Sequence, residues 1–543
     1  MYECPNCGGN LKFDISSQQM ACSYCDTHLD PYFVKKETDA VEEQFFEATV
    51  FTCPQCGGEL YSMDNEATSF CSFCGASTIL MSRISKEKRP DFIVPFKKTK
   101  EDCKRAYEKK MRKAFFVPRE LRDPKYIDGF RGIYMPYWTY QLIQRGSVHV
   151  DGEVNTRKGD YIYTDHYHLC GDMDTYYLGD SYDASTSFYD NISEALAPYD
   201  AKELVHFTPA FLSGFYADTA DVGPEVYLED AVEQAEKRSF QRIKNENAFK
   251  DYEIKKRKEY TPPDKGFKTR LRKADHTMYP VWFLSYRNKE QVAYATVNGQ
   301  TGKVVVDMPI DPKRYLAVSL LLALPIFLLL NIFFTLKPSA ILGISMALVF
   351  GAVFMYMQEL NAIFQREHNL DDKALNWKKE RARGQGGLPK IEKGKTKAAA
   401  EKSKKYKLFW RSLWMILGTF FGIFFLAGVS VLFDVNSVLD LLLVAVWPVS
   451  VVGVVVCGVK GIRKDRQIRQ KGFSAGFIIS IAAAVVGAGI GLLRPVSDIY
   501  YYAGVIFTLG AVLYNFVDII GNYNKLAMRK LPQFDKKGGD DRA

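Results

Sequence analysis

The chain has 543 residues, of which 47% are hydrophobic and 25% charged, with a formal net charge of +9. That length calls for several domains and excludes a single small fold. The charge is split: residues 1–80 hold three Lys/Arg against twelve Asp/Glu, a net −9, while residues 361–408 hold fourteen against six, a net +8. An acidic front end opposes nucleic-acid binding, which needs Lys/Arg to replace phosphate counterions.

The N-terminus opens MYECPNCGGN, with neither a basic nor an apolar leader region, so the front end is expected in the cytosol. Eight of eleven cysteines fall in Cys-x-x-Cys pairs, which in a reducing compartment point to metal instead of disulfides. Cys4 and Cys7 are followed after fourteen residues by Cys22 and Cys25. Cys53 and Cys56 are followed after fourteen by Cys71 and Cys74, a repeat of period 49 that also matches Tyr24 with Phe73. Each set of four thiolates closes a tetrahedral site, so two structural Zn²⁺ ions and two small β zinc ribbons are expected, at 1–30 and 50–82. Glycines after Cys7 and Cys56 suit the tight knuckle, and Leu11–Ile15 and Leu60–Met63 read as strands. A redox role for the pairs would need a thioredoxin-like βαβ context, and none is visible. Cys103, Cys170 and Cys457 stand alone and are expected as buried thiols.

Residues 83–89 (RISKEKR) read as a polar hinge into an α+β domain over about 90–312 with an antiparallel sheet. Phe92–Phe96 (FIVPF) reads as a strand. Thr99 and Asp102 then form a capping-box pattern that opens a helix with Cys103, Tyr107, Met111 and Ala114 on one face. IYMPYWTYQLI and MYPVWFLSY each place Pro two residues before Trp and alternate afterwards as strands do; the prolines suggest edges or strand starts. Asn298-Gly299 marks a hairpin, and a charged helix is predicted over about 225–259. His166 and His168 share a strand face near Asp165 and Cys170, but no third metal ligand is signalled, so they read as exposed strand histidines. No phosphate loop, dinucleotide fingerprint or nucleophile elbow occurs, and the chain is not expected to be an enzyme.

Tyr315–Leu336 is a run of 22 residues without a charge, enough for a helix to span a bilayer. Ser339–Met357, Leu413–Phe433, Leu441–Val459, Gly476–Leu493 and Tyr500–Val517 follow, so an all-α bundle of six spans is predicted over 315–525. Lys and Arg concentrate in the 361–408 loop, in residues 460–471 and in the tail, which places that side, and both termini, in the cytoplasm of a multi-pass cell-membrane protein. The span cores carry no Asp, Glu, Lys, Arg or His, which weighs against ion-coupled transport. Gly418-x-x-x-Gly422 and Gly487-x-x-x-Gly491 suit close helix packing within one chain and a homo-oligomer alike. The basic loops would attract anionic membrane lipid.

Taken together, the Cys-Pro-x-Cys-Gly-Gly ribbons, FIVPF, GIYMPYW, MYPVWFLSY and VNGQTGKVVVDMPI resemble a bacterial family, the TFIIB-type zinc-ribbon membrane proteins (YdjG-like, sometimes labelled primosomal N′-like). The resemblance implies a scaffold in envelope stress that anchors phage-shock-protein-A-like or SPFH-domain proteins at the membrane. The helicase sense of the primosomal label finds no Walker motif here. The expected function is therefore an integral membrane adaptor that recruits cytosolic or peripheral proteins. The alternatives are a zinc-domain-regulated small-solute channel or transporter and, more weakly, a membrane-tethered nucleic-acid-binding protein.

Overall fold

The computed structural model describes residues 2–34, 44–63, 70–77, 80–248, 250–254, 268–333, 337–367, 372–382, 436–469 and 475–534. The N-terminal residues build a four-stranded antiparallel sheet from Tyr2–Glu3, Asn10–Asp14, Gln19–Cys22 and His28–Leu29. Its strands alternate as a half-buried sheet requires: Leu11, Phe13, Met20 and Cys22 point inward while Lys12 and Gln19 face water. That inner face packs on the main domain. Phe13 meets the Phe211 ring at 5.2 Å, the Phe13 N–H donates to the Ser213 carbonyl, and the Ser213 hydroxyl donates to the Leu11 carbonyl.

Every other described strand joins one thirteen-stranded sheet. At its centre Lys268–Asn288 runs antiparallel to Arg131–Lys158, with Met278 opposite Pro136 and Tyr279 opposite Met135. The two Pro-x-Trp stretches are thus direct neighbours in the middle of the sheet, and the edge position suggested by their prolines is wrong. Pro280 is accommodated because its flank changes partner there, from Phe92–Ile93 beside Met278 to Gln291–Asn298 beside Val281. Pro136 sits just past the point where Tyr161–Asp183 stops pairing, at Asp183 opposite Tyr137. A missing N–H costs little where no ladder partner waits for it.

The helix Lys100–Arg112 carries the predicted capping box, with Thr99 Oγ1 accepting from the Asp102 N–H and the Asp102 carboxylate accepting from the Thr99 N–H. Cys103, Tyr107 and Met111 are buried along one face. The charged helix spans Leu228–Asn245, shorter than predicted, and residues 255–259 of that prediction lie outside the described residues. Ala231, Ala235 and Ser239 are its buried stripe, and Lys244–Ala248, where it ends, are exposed.

Residues 83–89, read as a hinge, instead lie almost wholly in the strand Met81–Lys88, paired with Phe45–Thr52. Phe45–Thr52 also pairs with Glu59–Ser62, which reaches the central strands through Tyr216–Asp218. The second Cys-x-x-Cys repeat is therefore continuous with the main sheet.

Three helices among the described residues are long and apolar enough to cross a membrane: Pro338–Arg366, Ala475–Leu493 and Asp498–Ala527. Helices Pro312–Phe333 and Asn436–Arg469 coincide with two further predicted spans, and 413–433 lies outside the described residues. Small residues seat the helices on one another: Gly487 against Met346, Gly453 against Phe350, Gly461 against Phe477.

After the last helix the chain returns to the domain of the thirteen-stranded sheet. Arg529–Lys530 pairs with Gln291 and Val292, and Asn524 exchanges hydrogen bonds of 2.7 and 2.8 Å with the Ile310 backbone. Lys373 reaches back as well, its N–H to Asp190 and its Nζ to Asp230, and Lys378 meets Asp221 at 3.1 Å.

Candidate metal centres

All four Cys-x-x-Cys pairs fold into the same knuckle. The N–H four residues after the first cysteine donates back to that cysteine's carbonyl: Gly8 to Cys4, Asp26 to Cys22, Gly57 to Cys53, Gly75 to Cys71, at 2.8–3.0 Å. The first cysteine's own N–H donates one residue further on, to Gly9, Thr27, Gly58 and Ala76. The turn requires a left-handed residue at its donor, and the four φ values are +70°, +55°, +72° and +69°. Gly8, Gly57 and Gly75 take this conformation without a Cβ penalty, and Asp26 is the exception. Sequence reasoning located Gly8 and Gly57. Gly75 and Asp26 were legible only once all four turns were seen to be alike.

The knuckles pair as the spacing predicts. Cys4, Cys7, Cys22 and Cys25 form one cluster and Cys53, Cys56, Cys71 and Cys74 another, the four sulfurs of each lying within 4.8 Å of one another. Cys53 and Cys74 are 3.8 Å apart and Cys56 and Cys71 3.7 Å; in the first cluster Cys4–Cys25 and Cys7–Cys22 are 3.5 Å. Sulfurs held about 2.3 Å from a central zinc stand about 3.8 Å apart in a regular tetrahedron. Both sets could therefore hold such an ion, and neither contains a non-cysteine ligand or a gap for a substrate.

Thiols this close cannot all carry charge without a cation. In the first cluster hydrogen bonds from Thr27 and then Cys7 draw Cys25 down to about 6. Cys7 is pushed up to about 12 by Cys25 and Cys22, against the opposing Gly9 N–H. In the second, Cys53 is lowered by its thiol neighbours while Cys56 and Cys71 are raised by theirs. A divalent ion removes that competition by stabilising all four thiolates.

The surroundings of the clusters differ. Cys7 and Cys25 are exposed, whereas all four cysteines of the second cluster are buried. Tyr24, inside the first cluster's second knuckle, is 81% exposed, and Phe33 just beyond is 82% exposed. The matching Phe73 is 1% exposed. Phe283 and Phe534 meet its ring edge-on, at 6.3 and 5.4 Å, and its carbonyl accepts from the Tyr294 hydroxyl. Phe534 belongs to the returning C-terminal segment and donates its N–H to the Cys56 carbonyl at 2.8 Å.

The isolated thiols divide. Cys103 is buried, Cys457 half-buried, and Cys170, expected to be buried, is exposed on a long hairpin. On that hairpin His166, His168 and Cys170 share a face, while Asp165, opposite Val154, points to the other.

Compared with known proteins, the chain is 33% identical over 320 residues to a protein of Bacillus subtilis (strain 168) named "Uncharacterized protein YdjG", a match covering 58% of this chain and 92% of the relative. No family model matches, and no solved structure matches.

Proposed function

We propose, from the premise that the chain belongs to the YdjG family, that it is a membrane-anchored adaptor whose first metal ribbon docks a cytosolic or peripheral protein. The observation that carries this is the contrast between Tyr24 and Phe73. The same knuckle position is used for internal packing in one ribbon and left in solvent in the other. Tyr24 and Phe33 sit in an acidic segment, so the surface offers aromatic anchors within negative charge. Metal-fixed turns hold that surface rigid before a partner arrives, and anchoring raises the partner's effective concentration at the bilayer.

Zinc is the ion proposed for both Cys₄ clusters, on ligand softness and closed four-coordination. The six-span arrangement with cytosolic termini is supported by where the chain returns. It leaves the soluble domain at Asp311, touches it again at Lys373, and pairs with it at Arg529. An even number of crossings is needed each time; the proposal assigns two before Lys373 and four after it. The TFIIB-type assignment and the envelope-stress setting, with phage-shock-protein-A-like or SPFH-domain partners, rest on the motif resemblance and complete the proposal.

The test is crosslinked capture from membranes, comparing the intact chain with Tyr24→Ala/Phe33→Ala. The adaptor reading expects a specific partner with the intact chain and at least about a tenfold loss with the variant, as for a pair of aromatic anchors. Equal capture would move the docking site elsewhere, and no specific partner with either would sink the reading. Topology is checked separately: membrane-impermeant thiol labelling from outside is expected at a cysteine placed at Asn436 and not at Lys395.

A further inference from the structure

Arg131–Lys158 and Tyr161–Asp183 form a hairpin around Gly159-Asp160, with Gly159 at φ +63°. Lys268 pairs with Arg145, so beyond that position the hairpin continues past the end of its long neighbouring strand. Its register places His149 opposite Cys170, Asp151 opposite His168 and Glu153 opposite His166. Directly opposed residues share a face, as do residues two apart on one strand. His149, Asp151, His168 and Cys170 therefore occupy the corners of one small square.

The side chains converge there. His149 Nδ1 lies 3.0 Å from Cys170 Sγ, and the His149 and His168 rings stack at 5.6 Å with 12° between their planes. One donor atom each from His149, His168 and Cys170 falls within 4.8 Å of the others. Asp151 meets His168 Nδ1 at 3.0 Å, the outer carboxylate that fixes an imidazole so its other nitrogen can bind a metal. His168 and Cys170 are exposed, which gives an ion a direct path in. Along one strand only His-x-His and His-x-Cys are visible. The third ligand comes from the paired strand, 19 residues upstream.

From this juxtaposition we propose a third metal site, in which His149, His168 and Cys170 bind an exchangeable zinc-class divalent ion, with Asp151 orienting His168. Two imidazoles and a thiolate select Zn²⁺ over Mg²⁺ or Ca²⁺, which prefer all-oxygen ligands. Three protein ligands leave a fourth position for water, unlike the closed Cys₄ clusters. An ion at this open, solvent-facing position exchanges far more readily than those in the ribbons. The proposal is independent of the adaptor reading, since no ligand belongs to either ribbon.

The test uses the full chain in detergent, saturated with Zn²⁺ and desalted. The intact protein is expected to carry one more zinc per chain than Cys170→Ser, His149→Ala or His168→Ala. The unchanged ribbon zinc in the variants shows that they remain folded. Zinc is also expected to slow alkylation of Cys170, followed by peptide mapping, by at least about tenfold, because a metal-bound thiolate is a poorer nucleophile. A chelator should reverse that protection. His166→Ala removes a neighbouring histidine on the same face outside the ligand set and should keep the extra ion. Equal zinc contents in the intact chain and the three variants, or an alkylation rate indifferent to zinc, overturns the site. Loss of the ion in His166→Ala as well overturns the assigned ligands, and an extra equivalent formed with copper but not with zinc overturns the choice of metal.

Discussion

The two Cys₄ clusters have the same spacing, the same four-hydrogen-bond knuckle pattern and nearly the same sulfur geometry, yet they sit in opposite surroundings. The first hangs its knuckles in solvent on a small sheet of its own. The second is threaded into the thirteen-stranded sheet and gripped from outside by Phe534, which follows the last long apolar helix. A repeated motif thus fixes local geometry and leaves the role to whatever its aromatic residue meets. In the second ribbon that residue packs on Phe534, beyond the last apolar helix; in the first it stays in solvent, the exposure on which the proposed docking role rests.

The sharpest way to break this comparison is to remove one ligand from each cluster. Cys56→Ser is expected to destabilise the main domain by more than about 4 kcal/mol, the scale of a lost structural metal in a buried setting. Cys7→Ser should unfold the first sheet locally and leave the rest of the domain intact. Hydrogen exchange mapped by peptide separates the outcomes, and global unfolding by Cys7→Ser would contradict the asymmetry. Next in size, Phe73→Ala should cost about 3–5 kcal/mol as a truncated core aromatic. Tyr24→Ala, at the matching exposed position, should change stability by no more than about 0.5 kcal/mol. Denaturant unfolding of the two variants reads the difference.

A pH titration sharpens the account on the side of the main sheet. His276 is buried against Trp138, and burial lowers its pKa to about 4 from an ordinary 6.5. The unfolded chain takes up this proton first. The associated stability is present above pH 6.5 and is lost as pH falls toward 4, amounting to about 3 kcal/mol. His276→Phe should flatten that part of the stability profile. Protonation of the cysteine clusters affects both proteins equally, so their difference isolates the histidine. A parallel profile in the variant would remove His276 from the account. The smallest effect lies in the knuckles: Gly57→Ala should cost about 1–2 kcal/mol and Asp26→Gly should stabilise by up to about 1 kcal/mol, as expected for left-handed positions.

Much of this was legible in the sequence because the signals are local. Cysteine spacing gives the two thiol sets, Thr99 and Asp102 give a cap, and uninterrupted apolar runs give long helices, three of them long and apolar enough to cross a membrane among the described residues. What stayed hidden depends on partners distant in sequence. Residues 83–89 are as polar as a hinge, and only pairing with Phe45–Thr52 makes 83–88 part of a strand. Pro136 and Pro280 look like edge residues, and only the change of neighbour on one flank shows why a central strand tolerates them. Tyr24 and Phe73 are chemically alike, and nothing near either predicts that Phe534 arrives to cover one of them. His149 is separated from Cys170 by a hairpin whose register, not its composition, brings them together.

The most direct measurement of the central claim is photo-crosslinking in intact cells from a reactive side chain placed at position 24 or at position 73. The account predicts an adduct to a second protein from position 24. From position 73 it predicts only intramolecular adducts, to the segments that carry Phe283 and Phe534. Intermolecular adducts of equal yield from both positions, or none from position 24, would contradict it.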